Sequence, residues 1–366
     1  MDKEKVIVGF IGAGGIARSH AYSLNSLRFF YNDAPDVELG VVCSATGESR
    51  DKFSAKYGFA RSARLDEFIS DKRLNTVFIL GPNKVHYEHL RAVVENMASV
   101  KRIYIEKPVC SSTEEEKAIA ALVKQHPEIK IQVGFQFLLS ATIIEMIKFW
   151  KSGLSDKPVH FDLKYYHSDY LNKGYRDKRQ TRLTPAPDGG AMADLGSHSI
   201  SLLIALLGDK LRITSALQAG HFEDVSDESD LFSLISLYDE ISGAVGTLSA
   251  SRISSGTGDY FSAEIYAVEG SLRYSSATPD YFEFFTKESG VWSRQIAGSN
   301  YGPFTSFPSG HVPPGWLRSM IHAHYLFLTG NDNSAFIPDI HHGLSVQRLV
   351  TQTAEHLRTF RNRLRG

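Results

Sequence analysis

Short unbroken apolar runs alternate with helical periodicity through the first part of the chain. Val6–Ile11 is such a run, the pattern of a strand buried on both faces. A glycine turn and a helical stretch follow it. Val37–Cys43 repeats the strand pattern, and Glu48–Tyr57 reads as a helix. Thr76–Leu80 is a strand, Lys84–Glu95 a helix, Arg102–Ile105 a strand and Thr113–Lys124 a helix. Ser112 or Thr113 is the expected N-cap of that last helix, ahead of three glutamates. Ile129–Phe135 closes the series. Strands alternating with helices in this way build βαβ units and a doubly wound parallel sheet, an α/β domain over residues 1–135.

Beyond that point the pattern changes. Thr142–Lys151 is one more helix, and then strand-like segments dominate: Val159–His167, Leu231–Leu237, Ala244–Arg252, Phe261–Val268, Ser271–Tyr274 and Phe282–Phe285. One helix, Gly190–Leu207, lies among them, and two more, Trp316–Thr329 and His342–Phe360, end the chain. The apolar segment Ile200–Leu207 reads as core packing. The Gly/Pro/Ser-rich stretch Gly298–Gly315 reads as a long surface loop. Residues 136–366 are therefore expected to form an α+β domain with a large, mostly antiparallel sheet. Too few helices are available to cover both faces of that sheet. Ala244–Arg252 and Phe261–Val268 should then expose apolar side chains, and a homodimer or homotetramer through this sheet is expected.

Composition narrows the class. The 366 residues are 42% hydrophobic and 22% charged, with a formal net charge of -1. No global field draws such a chain to nucleic acid or to a membrane surface, and no stretch is long and apolar enough to span a bilayer. The N-terminal apolar run is too short for a signal-peptide core. Cys43 and Cys110 are the two cysteines, too few for a disulfide framework, and a cytoplasmic location is expected.

Chemistry enters at the first turn. Gly12-Ala13-Gly14-Gly15-Ile16-Ala17 follows a strand and opens a helix, matching G-x-G-x-x-[GA]. Gly12 permits the tight turn, and Gly14 and Gly15 let the backbone approach a pyrophosphate. Ile16 and Ala17 begin a helix whose free N–H groups face the phosphates. This is the fingerprint of a Rossmann dinucleotide site. A carboxylate at the end of the second strand would hold the ribose 2′-hydroxyl of NAD, but the chain reads Cys43-Ser44-Ala45-Thr46-Gly47-Glu48-Ser49-Arg50 there. Ser44 takes the acid's place, and Arg50 is either a partner for a 2′-phosphate or a solvated helix residue. The missing anion favours NADP and leaves NAD open.

Three further motifs punctuate the chain. Gly81-Pro82-Asn83-Lys84-Val85-His86 follows the third strand, Glu106-Lys107-Pro108 the fourth, and Asp194-Leu195-Gly196-Ser197-His198 begins the lone helix of the second domain. Parallel strands deliver functional groups at their C-terminal ends. Lys107 stands at one, where its ammonium can stabilise alkoxide character during hydride transfer. Asp194 and His198 are spaced to share one helix face, and a histidine titrates near working pH, as a base for a hydroxyl proton must. Taken with the fingerprint, these motifs resemble the Gfo/Idh/MocA oxidoreductase family over nearly the whole chain. The resemblance implies that Lys107, Asp194 and His198 form the catalytic group. It further implies that Pro82, Asn83, His86 and Glu106 position the cofactor. Two positions depart from the family pattern. Gly134–Leu139 carries no arginine, and Ser201 stands where an aspartate is common.

Tyr166, His167 and Arg176 are candidate substrate contacts, since aromatic rings pack on sugar faces and arginine binds carboxylates. His322-x-His324 and His341-His342 do not share a helix face and have no completing ligands, so no metal is expected. The reading is an NAD(P)-dependent dehydrogenase or reductase acting on a sugar, cyclitol or sugar-derived carbonyl. Two alternatives stand beside it. One is a glycosidase-like or eliminating enzyme that retains its dinucleotide. The other is a dinucleotide-binding sensor without catalysis.

Overall fold

The N-terminal run forms β1 (Val6–Ile11), with five of its six residues buried. In the computed structural model, which describes residues 5–154, 157–183, 189–226, 228–296, 314–330 and 335–365, strands and helices then alternate. They are α1 (Gly15–Phe30), β2 (Val37–Cys43), α2 (Gly47–Tyr57), β3 (Arg61–Ala63), α3 (Leu65–Ile69), β4 (Thr76–Ile79), α4 (His86–Asn96), β5 (Arg102–Ile105), α5 (Thr113–Gln125) and β6 (Lys130–Val133). The six strands pair in the order β3-β2-β1-β4-β5-β6, all parallel. The chain winds outward from β1 in both directions, so the loops after β1 and β4 flank the point where the winding reverses. Local chemistry fixes the helix ends. Ser112 Oγ caps α5 by accepting the Glu115 N–H, while Glu115 reaches back to the Ser111 N–H. Gly58 closes α2 in the left-handed region.

Next come α6 (Ala141–Phe149), β7 (Pro158–Tyr166), the short α7 (Lys173–Asp177) and α8 (Ser197–Leu207), which a π turn at Met192–Gly196 leads into. The strands β8 (Leu211–Ala219), β9 (Phe232–Asp239), β10 (Val245–Ser251), β11 (Tyr260–Ala267), β12 (Gly270–Ser275), β13 (Tyr281–Thr286) and β14 (Trp292–Ile296) follow. With β7 they form an eight-stranded sheet, β14-β13-β12-β11-β7-β10-β9-β8, antiparallel except for the β7–β10 pair. Strand alternation sorts side chains between its faces. Phe161, Leu163 and Tyr165 of β7 point to the side of α8, whose residues through Leu206 are all buried. The Trp150 indole N–H donates to the Leu206 carbonyl and joins the end of α6 to α8. The opposite face carries a mixture. The pair Asp162–Lys164 and the cluster Arg273–Glu283–Arg294 lie there with exposed Leu217, Val245, Trp292 and Ile296. The apolar face expected of β10 and β11 is thus mostly polar, because Thr247, Ser249, Ser262 and Glu264 hold the outward positions.

Two helices end the chain, α9 (Pro314–Thr329) and α10 (Ile340–Arg365). The chain divides into two compact units: residues 1–139 with 317–344, and residues 140–316 with 345–366. The α/β and α+β classes expected from the sequence are both present. Within the first unit, Gly343 of α10 sits so close to β6 that a Cβ there would lie 2.7 Å from Val133 Cγ2. In the second, Ser345 and Arg348 bond Asp209. Most of the Gly298–Gly315 stretch lies outside the described residues. No described helix is long and apolar enough to cross a membrane.

Candidate active site

The first unit gathers its chemistry at the C-terminal ends of the parallel strands. Gly12 has φ 126°, and a Cβ there would stand 2.7 Å from the Leu80 carbonyl carbon and 2.9 Å from the Gly81 nitrogen. Only glycine fits so tight a turn against the end of β4. The Gly12 N–H donates to the Cys43 carbonyl, tying the turn to β2. Gly14 and Gly15 differ, since a Cβ on either would meet nothing within 4 Å. Gly14 is the N-cap of α1, no side chain caps that end, and its first turn holds no acid. Ile16 follows half-buried and Ala17 is wholly buried. A turn packed from below, open above and facing uncapped N–H groups fits a dinucleotide pyrophosphate.

At the end of β2, Ser44 Oγ donates to the Thr46 carbonyl. Arg50 folds back over the first turn of α2, its Nη2 3.6 Å from where a Gly47 Cβ would be. Burial pushes the neighbouring Cys43 thiol up to about 11. Beyond β4, Asn83 is buried, and the His86 ring lies wholly inside the protein. His86 Nδ1 is 2.8 Å from the Pro108 carbonyl oxygen, and Nε2 is 2.8 Å from that of Gly81. Burial lowers its pKa, while the two carbonyls act in the opposite direction. His86 therefore staples the Pro82–Asn83 loop to the turn after β5. Past β5, Lys107 joins Pro108 through a cis peptide. The Glu106 carboxylate is buried. It accepts the Lys107 N–H at 3.2 Å and contacts His20 Nε2 at 2.9 Å. Gly134 makes room for it, since a Cβ there would lie 2.7 Å from Glu106 Oε1.

The second unit builds its site around the π turn. Gly190, at φ 93°, lies where a Cβ would stand 2.6 Å from Asp230 Oδ2. That buried carboxylate, its pKa raised by burial, accepts the Met192 N–H and the Ser233 hydroxyl. Asp194 follows, held between Arg252 Nη2 at 2.8 Å and Arg182 Nη2 at 3.2 Å. Arg252 is fully buried, donates also to the Arg182 carbonyl, and lies 4.6 Å from the Tyr170 ring. His198, one turn further, is buried with its ring 5.7 Å from that of Tyr165. His167 joins the same group. Burial pulls its pKa down to about 4, Asp194 opposes this, and Arg252 and Arg182 add to it. Its Nδ1 accepts the Asp169 N–H, so the neutral ring carries its proton on Nε2.

Residues 6–135 match a family model described as "Oxidoreductase family, NAD-binding Rossmann fold", and residues 148–273 match "GFO/IDH/MocA C-terminal domain". The chain belongs to the Gfo/Idh/MocA oxidoreductase family. Its N-terminal domain is an NAD-binding Rossmann domain. Levoglucosan dehydrogenase of Pseudarthrobacter phenanthrenivorans is 25% identical over 298 residues, covering 73% of each chain. The NAD(+)-dependent scyllo-inositol 2-dehydrogenase of Bacillus subtilis is 28% identical over 278 residues, 74% of each chain. A solved structure of levoglucosan dehydrogenase in complex with NADH and levoglucosan shares the fold. Its TM-score is 0.80 at 20% identity, over 96% of this chain and 97% of that one.

Within this Gfo/Idh/MocA frame two expected substrate contacts are engaged elsewhere. The Arg176 guanidinium is buried and all its donors are used: Asp224 takes Nε and Nη2, and the Tyr170 and Leu171 carbonyls take Nη1. It anchors a loop. Tyr166 points to the other face of the sheet from Tyr165, where its hydroxyl meets Ser249 Oγ at 2.6 Å. The histidine pairs near the C-terminus also diverge. His322 Nδ1 meets the Tyr31 hydroxyl, and His342 packs edge-on against Phe135 and Phe336. Sequence reasoning missed Arg252, although a cation closing a strand of alternating small and apolar residues was the available signal. It also missed His20, whose partners lie far away in the chain.

Proposed function

We propose that this enzyme transfers a hydride between a nicotinamide dinucleotide and a carbon of a sugar, cyclitol or sugar-derived carbonyl. The observation that carries the reading is Lys107 at the carboxyl end of β5, in the same sheet as a β1 turn built to receive a pyrophosphate. When bound, the nicotinamide supplies the hydride acceptor or donor. Lys107 stabilises charge on the substrate oxygen as the carbon–hydrogen bond changes hands. His198 takes the hydroxyl proton in oxidation and returns it in reduction. Asp194, immobilised by two arginines, accepts a hydrogen bond from a substrate hydroxyl. His167, neutral with Nε2–H available, donates one. The names of the relatives support a polyhydroxylated substrate.

NADP is the favoured cofactor in this proposal, with Ser44 and Arg50 holding the 2′-phosphate where no carboxylate stands at the end of β2. The enzyme is proposed to work as a homodimer or homotetramer through the outer face of the eight-stranded sheet. Leu217 and Val245 are exposed there, and Trp292 lies under Arg273 of the Arg273–Glu283 pair. Light scattering at micromolar concentration tests this, and a monomeric mass rejects it. The function is tested by screening sugars and polyols with NAD and NADP at the nicotinamide absorbance. Reduction of added cofactor by at least one polyol supports it. Silence across the screen, with dinucleotide binding intact, rejects it.

A further inference from the structure

His322-x-His324 has no role in the chemistry above, yet His324 ends a buried chain of polar groups. Its Nε2 lies 2.8 Å from His20 Nδ1, and His20 Nε2 lies 2.9 Å from Glu106 Oε1. Glu106 Oε2 in turn accepts the Lys107 N–H at 3.2 Å. Three distant segments supply these groups: α9, α1 and the end of β5. Both imidazoles are fully buried and Glu106 nearly so. Aromatic rings enclose the chain, with Tyr104 and Phe78 centred 5.1 and 5.4 Å from the His20 ring.

The direction of every hydrogen bond follows from the partners. Burial, with His20 adjacent, holds His324 well below the ordinary histidine range, so its ring is neutral and carries one proton. His324 Nδ1 meets no hydrogen-bond partner among the described residues, whereas Nε2 does. The proton therefore sits on Nε2 and is donated to His20 Nδ1. That leaves the His20 proton on Nε2, donated to Glu106. A buried carboxylate is tolerated only with such donors. Among the described residues His20 Nε2–H reaches one oxygen and the Lys107 N–H the other.

We infer that His324 and His20 are positioning residues, a one-way chain of N–H donors that keeps Glu106 an accepting carboxylate against the backbone of Lys107. The groups facing Glu106 are Lys107 and Tyr104 from β5 and its turn, His86 from α4, His20 from α1, and His324 from α9 behind it. The significance for catalysis rests on the reading of Lys107 given above; the donor chain itself does not.

The test uses the full chain and NADH as probe, so it needs no turnover. Nitrogen-15 spectra of labelled histidine at about pH 8, assigned with His20→Gln and His324→Gln, should show protonated Nε2 and bare Nδ1 on both rings. A bare Nε2 on His20 would mean that Glu106 is the donor, and would overturn the inference. NADH affinity is then measured by fluorescence at the same pH. His20→Gln, which keeps an N–H toward Glu106 and an oxygen toward His324, should match the wild type. His20→Phe strands the carboxylate. Its NADH affinity should fall about fivefold, the loss of one ordinary hydrogen bond. Adding Glu106→Gln, which no longer needs both donors, should restore part of that loss. A His20→Phe affinity equal to wild type overturns the proposal. If His20→Phe does not fold, the histidine spectra decide alone. A failed donor chain with turnover still lost in Lys107→Met leaves the hydride-transfer reading standing, and the reverse pattern leaves the chain standing.

Discussion

Substituting Gly12 and Gly14 separately should divide folding from cofactor binding within one short turn. At Gly12, alanine meets both a left-handed φ of 126° and backbone atoms of Leu80 and Gly81 at 2.7 to 2.9 Å. Neither obstacle is the tip of a flexible side chain, so the turn or the end of β4 must move. Strained backbone of this kind costs about 1–3 kcal/mol before any displacement of β4. Taking about 3 kcal/mol in all, the melting transition of a unit this size should fall by roughly 6–12 °C. At Gly14 the backbone is extended (φ -86°, ψ -168°), which suits a β-branched residue, and a Cβ meets nothing within 4 Å. Gly14→Val should therefore hold stability to within about 1 kcal/mol, helped by a less flexible unfolded chain. Its side chain would stand where a pyrophosphate approaches the α1 N-terminus. NADH affinity should drop at least tenfold, about 1.4 kcal/mol. Thermal melts and NADH fluorescence titrations on both variants are the assay. Equal destabilisation by the two, or undiminished NADH binding by Gly14→Val, would refute the division.

Other expectations follow from particular contacts. Lys107→Met should leave NADH affinity nearly unchanged and lower turnover by about 10²-fold, checked on a confirmed substrate. Asp194→Ala leaves the buried Arg252 without its carboxylate and should destabilise by about 3 kcal/mol as well as slow turnover, so melts must accompany its kinetics. Arg50→Ala should reduce any preference for NADP over NAD in calorimetric titration; an unchanged ratio would place the 2′-phosphate elsewhere. His167, His322 and His342 have pKa values near 4, pulled down chiefly by burial. Because the unfolded chain binds more protons than the folded one below about pH 6.5, their contribution is complete above that pH and is lost towards pH 4. His342→Phe, which keeps a ring against Phe135 and Phe336, should flatten the fall in denaturation midpoint over this window.

The parallel sheet was legible because strands buried on both faces are continuous apolar runs, and because βαβ alternation repeats them. β3 escaped notice, for Arg61-Ser62-Ala63 is three residues long and two of them are polar. β8 and β14 escaped for a different reason. They are the edges of the eight-stranded sheet, and β14, Trp292-Ser293-Arg294-Gln295-Ile296, has no buried residue to set its pattern. The glycine turn was readable from local spacing, whereas Lys107, Asp194 and His198 were singled out by their motifs together with the family resemblance. The Asp194 clamp was not, since Arg252 lies 58 residues away in the chain. His20 and His324 are separated by 304 residues, and nothing in a linear pattern pairs them. Tyr166 could have been resolved by strand parity alone. Tyr165 and His167 share a face, and Tyr166 takes the other. Arg176 could not, because a buried arginine with carbonyl and carboxylate partners looks, in sequence, like any cation of a basic loop.

Net hydride transfer between a free nicotinamide dinucleotide and a substrate carbon is the proposed reaction. The most direct measurement supplies a carbon-deuterated polyol identified by the screen, with oxidised cofactor in excess, and follows deuterium by mass spectrometry. Net transfer places one deuterium on each reduced nicotinamide released, matched by one carbonyl formed, with both appearing about 10²-fold more slowly in Lys107→Met. Product formed while the added cofactor stays oxidised and deuterium-free would contradict it. That outcome would point instead to an enzyme that retains its dinucleotide and returns the hydride.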